Sequence, residues 1–455
     1  MFEGRFGRIF RRLPAFTPDD TTIAEIAAAM AEPSGGDPAL DNEKIPAGYT
    51  YLGQFIDHDL TFDPVSSLDR QNDPDSLTNF RTPRFDLDCL YGRGPADQPY
   101  LYDKRNSGQF VIGEHDNELD LPRSGQDTAL IGDPRNDENI FVSQIHLTML
   151  LFHNKVFERR ADFGQAVAQA TETEFTAVQR VVRWHYQWVV IHDFLRRIVG
   201  EETLGQVLIR EPQTPYGPPV EKARLAFFKW RNQPFMPVEF AVAAYRFGHS
   251  MIRGRYTFNS TVPPLPIFTK EPIAESPPLS HLGGFRILPP FWQVEWARFF
   301  EIDPAVQPQA TRRIDTNIVG PMLELPPEVA PGMPSLAERN ITRGARLGLP
   351  SGQSVARAMG LTPLTDQELA LPKPGPAPLW YYVLREAALH ANGEHLGPVG
   401  GRIVAEVFLG LLAADPSSYL HTDPGWTPFL PAATPGEFTM VDLINFTGFG
   451  LTPIV

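Results

Sequence analysis

Apolar residues spaced three and four positions apart dominate this chain of 455 residues, whereas alternation of apolar and polar residues is scarce. The first spacing marks one face of an α-helix and the second marks a strand, so the chain is predicted to be mainly α with little β-structure. Asp133 and Pro134 suit the start of the clearest helix, and Glu138 would lie on its apolar face. The predicted helices cover residues 133–158, 175–199, 379–390 and 403–414, and a further helix begins near Pro237 and carries His249.

Prolines, 46 in all, crowd into stretches such as residues 262–278 and 371–379. Such stretches are typical of ordered, extended connections between helices. No obvious linker divides the chain. Residues 48–455 are therefore predicted to form a single domain, and residues 1–47 an arm packed on it.

Charge and cysteine content bear on the class of function. A formal net charge of −14 disfavours nucleic acid or an anionic membrane surface as the main partner. The single cysteine, Cys89, cannot form an internal disulfide and is predicted to be a buried thiol. The longest apolar run, residues 403–414, is too short to span a bilayer, and residues 1–16 lack the apolar segment of a secretory signal. We expect no membrane span; a cytoplasmic location is favoured, and export without a cleaved signal stays open.

Three adjacent ionisable residues, Asp57-His58-Asp59, interrupt an apolar run with helical character. Charged side chains are rarely buried without partners. Gln54, Asp57 and His58 stand at i, i+3 and i+4, so on a helix they share one side. That side predicts a pocket; the simpler alternative is a solvated face that happens to carry a histidine.

Two later segments carry further candidates. Arg135 and Glu138 stand at i, i+3 in the first turn of the clearest helix, and the alternative there is an exposed ion pair. His249 lies on an apolar face, where a histidine is more often a satisfied core residue than a metal ligand. Gly248 would let a flat group approach the backbone, and a buried Arg246 would need an anionic partner.

Oxygen-bearing side chains cluster in the segment RTPRFDLDCLYG. Thr82, Asp86 and Asp88 offer a hydroxyl and two carboxylates, and with Asp59 they would form a site for a hard cation. The alternative is an extended segment whose carboxylates face solvent.

Six segments, in this order, resemble the animal-type haem peroxidases, the superfamily of myeloperoxidase, lactoperoxidase and peroxidasin, and above all its compact bacterial branch. They are GQFIDHDLTF, RTPRFDLDCLYG, GDPRNDE with the following SQIHLTMLLFHNKVFE, YRFGH, ERNITRGARLGLP and GEHLGPVGGRIVAEVFLGLL, which span residues 53–412. The resemblance implies a fold of central helices around a buried haem, joined by long proline-rich loops.

The resemblance also implies roles around haem b. His58 would be the distal base that moves a proton between the peroxide oxygens, Arg135 would stabilise the charge on the leaving oxygen, and Gln54 would line the halide site. His249 would bind the iron, with Asn340 hydrogen-bonded to its outer nitrogen. Asp57 and Glu138 are implied to hold the cofactor through ester bonds to haem methyl groups. Arg246, whose side chain would need an anionic partner, is also predicted to bind the cofactor.

The same resemblance implies a calcium site. Its ligands would be Asp59, Thr82, the backbone of Arg84, Asp86 and Asp88. The three neighbours Asp57, His58 and Asp59 would then serve haem, peroxide and calcium, one each.

The implied function is reduction of hydrogen peroxide with oxidation of small aromatic donors, halides or thiocyanate through a ferryl intermediate. A fatty-acid dioxygenase of the cyclooxygenase-like branch is the first alternative. Such enzymes use a tyrosine three residues before the proximal histidine; here that place is Arg246, and Tyr245 lies one position further back. A haem-binding protein without turnover is the second alternative, for which loss of a distal residue would be typical.

Some positions depart from the animal enzymes. Asn139 stands where myeloperoxidase has a methionine joined to a haem vinyl group, so that bond is not expected. Arg343 is retained in RGARLGLP, but the family's Asp-His pair is not. His146 and His153 match family positions and are interpreted as structural residues or as residues that support the site. Oligomeric state is not indicated.

Overall fold

The computed structural model describes residues 4–33, 36–62, 73, 77–106, 108–113, 119–166, 172–212, 219–277 and 279–451. Helices predominate in this part of the chain, as predicted. The α-helices, numbered in chain order, are α1 (Asp20–Ala29), α2 (Gly48–Leu60), α3 (Asp88–Tyr91), α4 (Ile140–Glu158), α5 (Glu174–Trp188), α6 (Arg196–Val207), α7 (Gly320–Leu323), α8 (Leu336–Arg346), α9 (Gly352–Ala358), α10 (Asp366–Leu369), α11 (Leu379–Ala391), α12 (Pro398–Ala414), α13 (Tyr419–Thr422) and α14 (Met440–Thr447).

The strands are short and form small separate sheets. They are β1 (Gly4–Gly7), β2 (Asp41–Pro46), β3 (Thr78–Asn79), β4 (Leu208–Pro212), β5 (Pro219–Ala223), β6 (Met236–Pro237), β7 (Arg255–Tyr256), β8 (Leu265–Pro266) and β9 (Ala310–Arg312). β1 lies between β3, its antiparallel neighbour, and β6, its parallel neighbour. The remaining antiparallel pairs are β2 with β9, β4 with β5 and β7 with β8.

Packed helices form the core. α2 packs against α4, α4 against α5 and α14, and α11 against α9 and α12. Phe55, Phe141, Phe152 and Phe408 lie fully buried at these contacts. Because burial of apolar surface is the main driving force of folding, these contacts fix the position of α2, which carries the Asp57-His58-Asp59 triplet.

The start predicted for the helix over residues 133–158 is wrong. Residues Pro134–Asp137 form a 3-10 turn, and α4 begins only at Ile140. Asn139 between them is extended, and its Oδ1 accepts the N–H groups of Phe141 and Val142 at 3.1 and 3.0 Å, as an N-cap does. Glu138 therefore does not lie on the apolar face of α4 but at the break before it.

The segment that begins near Pro237 is not a regular α-helix either. A π-helical turn over Glu239–Ala243 is followed by a 3-10 segment over Ala244–His249, and the backbone leaves helical geometry at Ala243, with φ −129° and ψ −73°. His249 thus ends a tight turn and does not occupy a stripe at α-helical spacing.

The other predicted helices are present. Residues 379–390 lie in α11, and residues 403–414 form the greater part of α12, which begins five residues earlier. Residues 175–199 lie in α5, a π-helical turn over Val189–Leu195 and the start of α6. Gly200, the residue that follows the predicted end at 199, has φ +75° and breaks α6.

Residues 4–47 contact distant parts of the chain. The buried Glu239 carboxylate accepts the N–H groups of Ile9 and Phe10 at 3.0 and 2.9 Å. Arg8 donates to the carbonyl oxygens of Leu347 and Gly348, at 2.6 Å each. Both sets of contacts join residues 8–10 to segments more than 200 positions further along the chain, and the division into an arm and a single domain stays a prediction. In the described ranges, no helix has both the length and the apolarity to cross a membrane.

Candidate active site

One cavity of about 320 Å³ gathers most of the predicted site residues. It lies among α2, the 3-10 turn at Pro134–Asp137, the segment that ends at His249, and α8. Its wall includes Gln54, Asp57, His58, Arg135, Glu138, Arg246 and His249. Residues almost 200 positions apart in sequence therefore face a common space.

Close approach of α2 to its neighbours explains how it reaches the cavity. A Cβ atom on Gly48, its first residue, would lie 2.3 Å from the ring of Phe300, so only glycine fits there. Successive residues on a helix point about 100° apart. Asp57 and His58 face the cavity, whereas Asp59 turns away to accept the N–H of Leu87 at 3.3 Å.

His58 is held at one ring nitrogen. Its Nδ1 lies 2.8 Å from Oδ1 of the buried Asn136. Burial and the nearby Arg135 guanidinium lower the pKa of His58 to about 3, so the imidazole is neutral at neutral pH. A neutral imidazole can accept a proton at the nitrogen that is not bonded to Asn136.

Arg135 is fixed by a buried carboxylate, Asp133. Oδ1 of Asp133 accepts the backbone N–H and Nε of Arg135 at 2.9 and 3.1 Å, and Oδ2 accepts Nη2 at 2.7 Å. Nη2 also donates to the carbonyl of Thr61 at 2.6 Å. Burial alone would raise the pKa of Asp133. The positive charges of Arg135 and Arg81 outweigh that effect and hold the pKa well below its ordinary range. Asp133, predicted only as a helix cap, thus positions the arginine.

Arg81 joins this group to the acidic cluster. Its Nε donates to Asp133 at 3.0 Å, its Nη2 also contacts Asp133, and its Nη1 donates to Asp88 at 3.2 Å. Sequence analysis missed Arg81, and no local pattern marks it because its partner Asp133 lies 52 residues away.

Two carboxyl groups face the cavity beside Gln54. Gln54 Nε2 donates to Glu138 at 3.0 Å, and its Oε1 accepts Nδ2 of Asn139 at 3.0 Å. Asp57 Oδ1 accepts the Thr61 hydroxyl at 3.1 Å. Burial raises the pKa of both Asp57 and Glu138, because neither carboxylate is hydrated as it would be at the protein surface.

His249 lies in the same cavity wall and is held from behind. Nδ2 of Asn340, on α8, lies 2.9 Å from Nδ1 of His249. With the amide turned so that its Oδ1 accepts the proton on Nδ1, Nε2 of His249 would be left for a ligand. Burial and Arg246 lower the pKa of His249 to about 3, so it is in the neutral form that binds metals. A Cβ atom on Gly248 would meet nothing within 4 Å and would project into open space. A flat, iron-bearing group fits beside this backbone.

Three carboxylates meet on the other side of α2. Oxygen atoms of Asp59, Asp86 and Asp88 lie within 4.8 Å of one another, and the Thr82 hydroxyl donates to Asp86 at 2.8 Å. Burial raises the pKa of all three carboxyl groups, and Asp86 raises those of Asp59 and Asp88 further. Oδ1 of Asp59 is buried without a hydrogen-bond partner. A divalent cation would satisfy that oxygen and relieve the repulsion, so the residues fit the predicted calcium.

Other predictions concern residues outside the cavity wall. Arg84, predicted to contribute its backbone, turns its side chain to Asp415 at 3.7 Å. His153 is buried between the Tyr91 hydroxyl at 2.9 Å and the Gly108 carbonyl at 2.8 Å, a structural arrangement. Cys89 is buried, as expected.

Comparison with known proteins agrees with this geometry. A family model described as animal haem peroxidase matches residues 65–369, a range that begins after Gln54 and His58. Chorion peroxidase from Aedes aegypti is 21% identical over 313 residues, which is 69% of this chain and 37% of that protein. The chain thus spans little more than a third of the length of that relative.

Solved structures share the fold. Peroxidase A from Dictyostelium discoideum matches with a TM-score of 0.64 and 16% identity, over 100% of this chain and 94% of that one. Fatty acid alpha-dioxygenase from Oryza sativa matches with a TM-score of 0.56 and 14% identity, over 90% and 75%. A variant of that enzyme with palmitic acid matches with a TM-score of 0.57. The predicted fold is confirmed by these structures, and because the family model covers more than half of the sequence, this chain belongs to the animal haem peroxidase family.

Proposed function

We propose that this protein reduces hydrogen peroxide at a bound haem and oxidises small aromatic donors, halides or thiocyanate. One observation carries the proposal: a single cavity holds the neutral His58, the fixed cation Arg135 and a second neutral histidine, His249. Cleavage of an O–O bond needs a base beside the iron and a positive charge where negative charge develops. The iron needs a neutral imidazole on its other face.

Haem, bound through His249, would take up the two oxidising equivalents of hydrogen peroxide and pass them to the donor. His58 accepts a proton from hydrogen peroxide at Nε2, since Nδ1 is bonded to Asn136, and returns it to the leaving oxygen. Arg135 remains in place during this transfer because Asp133 and the Thr61 carbonyl hold its guanidinium. A pre-positioned charge has no reorganisation to undergo as the bond breaks.

We further propose that Asp57 and Glu138 form ester bonds to haem methyl groups. Each bond would form as a haem methyl group gave up a proton and two electrons, which would reduce hydrogen peroxide to water, while an oxygen of the carboxylate bonded to the methyl carbon. The hydrogen bond from Gln54 orients Glu138, and that from Thr61 orients Asp57. Arg246, buried in the same wall, would pair with a haem carboxylate.

For the acidic cluster we propose calcium, bound by Asp59, Thr82, the backbone of Arg84, Asp86 and Asp88. The unpartnered oxygen of Asp59 supports this assignment. The ion would lie beside α2 and fix the residue that follows His58.

The proposal is tested by absorption spectroscopy of haem-loaded protein mixed with hydrogen peroxide and an aromatic donor or bromide. We expect a strong Soret band that shifts with peroxide and returns with donor. His58→Ala should slow the first shift by about 10²-fold or more, whereas His421→Ala, at an exposed position, should not. Equal rates in wild type and His58→Ala would contradict the proposal.

A fatty-acid dioxygenase remains the second candidate because Tyr245 lines the cavity. Its hydroxyl donates to the Gly53 carbonyl at 3.1 Å. Oxygen uptake with a long-chain fatty acid, present in wild type and absent in Tyr245→Phe, would favour this activity. Dioxygenase activity would be excluded by two results together: wild type takes up no oxygen with the fatty acid, and Tyr245→Phe keeps its peroxidase turnover.

A further inference from the structure

Three buried polar side chains form a row that leads away from the cavity. His58 Nδ1 lies 2.8 Å from Asn136 Oδ1, and Asn136 Nδ2 lies 3.0 Å from His146 Nδ1. Asn136 and His146 have no exposed surface, and His58 is 5% exposed. Neither Asn136 nor His146 lines the cavity, and the side-chain contact of Asn136 with His58 connects the row to it.

The chemistry of the amide fixes the direction of the row. An amide oxygen only accepts hydrogen bonds and an amide nitrogen only donates them. Oδ1 of Asn136 therefore takes the proton on Nδ1 of His58, and Nδ2 donates to Nδ1 of His146. Burial lowers the pKa of His146 to about 3, so its imidazole is neutral and can accept this bond.

His146 has an unpartnered atom that needs an explanation. With Nδ1 as acceptor, its neutral ring carries the proton on Nε2, which is buried without a hydrogen-bond partner. Such an atom destabilises the fold, and an apolar side chain would avoid the loss. The ring lies on α4 and is inclined by 69° to the ring of Phe55 of α2, at a centroid distance of 5.9 Å. The ring is therefore rigidly packed. Its functional atom is Nδ1, which accepts the hydrogen bond from Asn136.

We propose that Asn136, itself fixed by His146, is a positioning residue that holds His58 with the proton on Nδ1 and with Nε2 directed into the cavity. The inference rests on the proposed function and adds two residues to it. Without Asn136, His58 could turn about its side-chain bonds and carry its proton on either nitrogen. Only one of those states can accept a proton from hydrogen peroxide at the cavity.

Hydrogen cyanide is a suitable probe because it binds iron as cyanide only after giving its proton to a base, and it is not turned over. We would measure its association rate, and the rate of the first spectral change with hydrogen peroxide, in haem-loaded wild type and Asn136→Leu. Leucine has the branching and the number of side-chain heavy atoms of asparagine, although it is larger, and it removes both hydrogen bonds. We expect both rates to fall by about 10-fold or more.

The decisive comparison is a double-mutant cycle with His58→Ala. If Asn136 acts through His58, Asn136→Leu has no further effect once His58 is absent. The matched control is Gln144→Met, a buried amide on α4 that donates to the Leu119 carbonyl and lies outside the cavity; its rates should equal those of wild type. Asn136→Asp keeps an acceptor for Nδ1 of His58 and should retain most of the rate.

Several results would overturn the inference. An equal loss from Asn136→Leu with and without His58, or no loss at all, would show that Asn136 does not act through His58. A large increase of both rates in Asn136→Asp would show that Nδ2 and Oδ1 of Asn136 are exchanged in wild type, and that Nε2 of His58 then carries the proton and donates into the cavity. If Asn136→Leu does not fold, His146→Phe, which keeps a ring and loses Nδ1, must still slow cyanide binding. Wild type that binds cyanide but ignores hydrogen peroxide would refute the proposed function and leave the positioning intact.

Discussion

At the scale of single residues, the triplet Asp57-His58-Asp59 shows how one helix can serve several sites. Asp57 borders the cavity, His58 reaches both the cavity and Asn136, and Asp59 joins the acidic cluster. The roughly 100° turn between neighbours on a helix separates these environments without any break in α2. Each residue can therefore be substituted and assayed for a different property.

The ester bonds give the first prediction. Acidified organic solvent should leave haem on wild-type protein after exposure to hydrogen peroxide, because both carboxyl groups would be covalently joined to it. Asp57→Asn combined with Glu138→Gln should release all of the haem, since amides do not form these esters. Mass spectrometry of the polypeptide measures the retained haem.

Glu43→Gln, at an exposed position, serves as the control for that experiment and should behave as wild type. Complete extraction of haem from wild type would refute the roles given to Asp57 and Glu138.

At the scale of elements, periodicity predicted the helices whose packing faces are regular, α11 and most of α12. It could not predict the break before α4, because a distant segment imposes it. Ile140 donates to the Leu282 carbonyl at 3.1 Å, Gly284 to that of Glu138 at 2.8 Å and Phe285 to that of Asp137 at 2.7 Å. These bonds pull the backbone out of the helix and turn Glu138 into the cavity.

Gly284 gives the second prediction. A Cβ atom there would lie 1.8 Å from the Asp137 carbonyl oxygen, so Gly284→Ala must displace the loop or the turn that carries Glu138. We expect a loss of about 1–3 kcal/mol in the free energy of unfolding, measured by denaturant titration. Gly205→Ala is the control: it lies in α6 with open space around it and should be neutral or stabilising. A fully stable Gly284→Ala protein would disprove the close approach.

Glu386 gives the third prediction, a pH dependence. This residue of α11 is buried at the start of α12, where it accepts the N–H groups of Val399 and Gly400 at 2.8 and 3.3 Å. Burial raises the pKa of Glu386 to about 7, above its value in the unfolded chain. The folded state then holds the proton more tightly, so this group lowers stability as pH rises from about 4.5 to 7, by at most about 3 kcal/mol.

Glu386→Gln should therefore be more stable than wild type at pH 8 and similar to it near pH 4, as measured by thermal unfolding at both values. The Gln side chain keeps an oxygen for the two N–H groups and has no charge to bury. A difference of the same size at both pH values would show that titration of Glu386 does not contribute.

At the scale of the whole molecule, ion pairs connect the acidic cluster to the cavity. Asp88 contacts Arg81, Arg81 contacts Asp133, and Asp133 holds Arg135. Asp59 gives a second connection, because it directly follows His58 in α2. Occupancy of the cluster is thus expected to influence the cavity as well as stability.

Calcium gives the fourth prediction. Metal analysis should find about one tightly held calcium per chain, and its removal by a chelator should lower the thermal unfolding midpoint, because three buried carboxylates then repel one another. Re-addition of calcium should restore the midpoint in wild type but not in Asp59→Asn. Protein that holds no calcium and is insensitive to a chelator would refute the site.

The resemblance to a known family singled out His58, Arg135 and His249, and all three line one cavity. The supporting role of Asn340 was implied by the resemblance, but those of Asn136 and Asp133 were missed because a support has no spacing of its own. Asn136 lies 78 residues from His58 and is defined only by packing of the intervening chain. The predicted helical position of His249 was wrong for a related reason, since the turn before it depends on contacts made by other segments.

The contacts of the arm have a consequence for the order of events during synthesis. Ile9 and Phe10 leave the ribosome about 230 residues before Glu239, and Arg8 about 340 residues before Gly348. Contacts so distant in sequence form late in folding, because a long loop must close first. Glu239 opens the segment that leads to His249. That wall of the cavity is therefore completed only after most of the chain has been translated, and stable capture of haem is expected after translation, not during it.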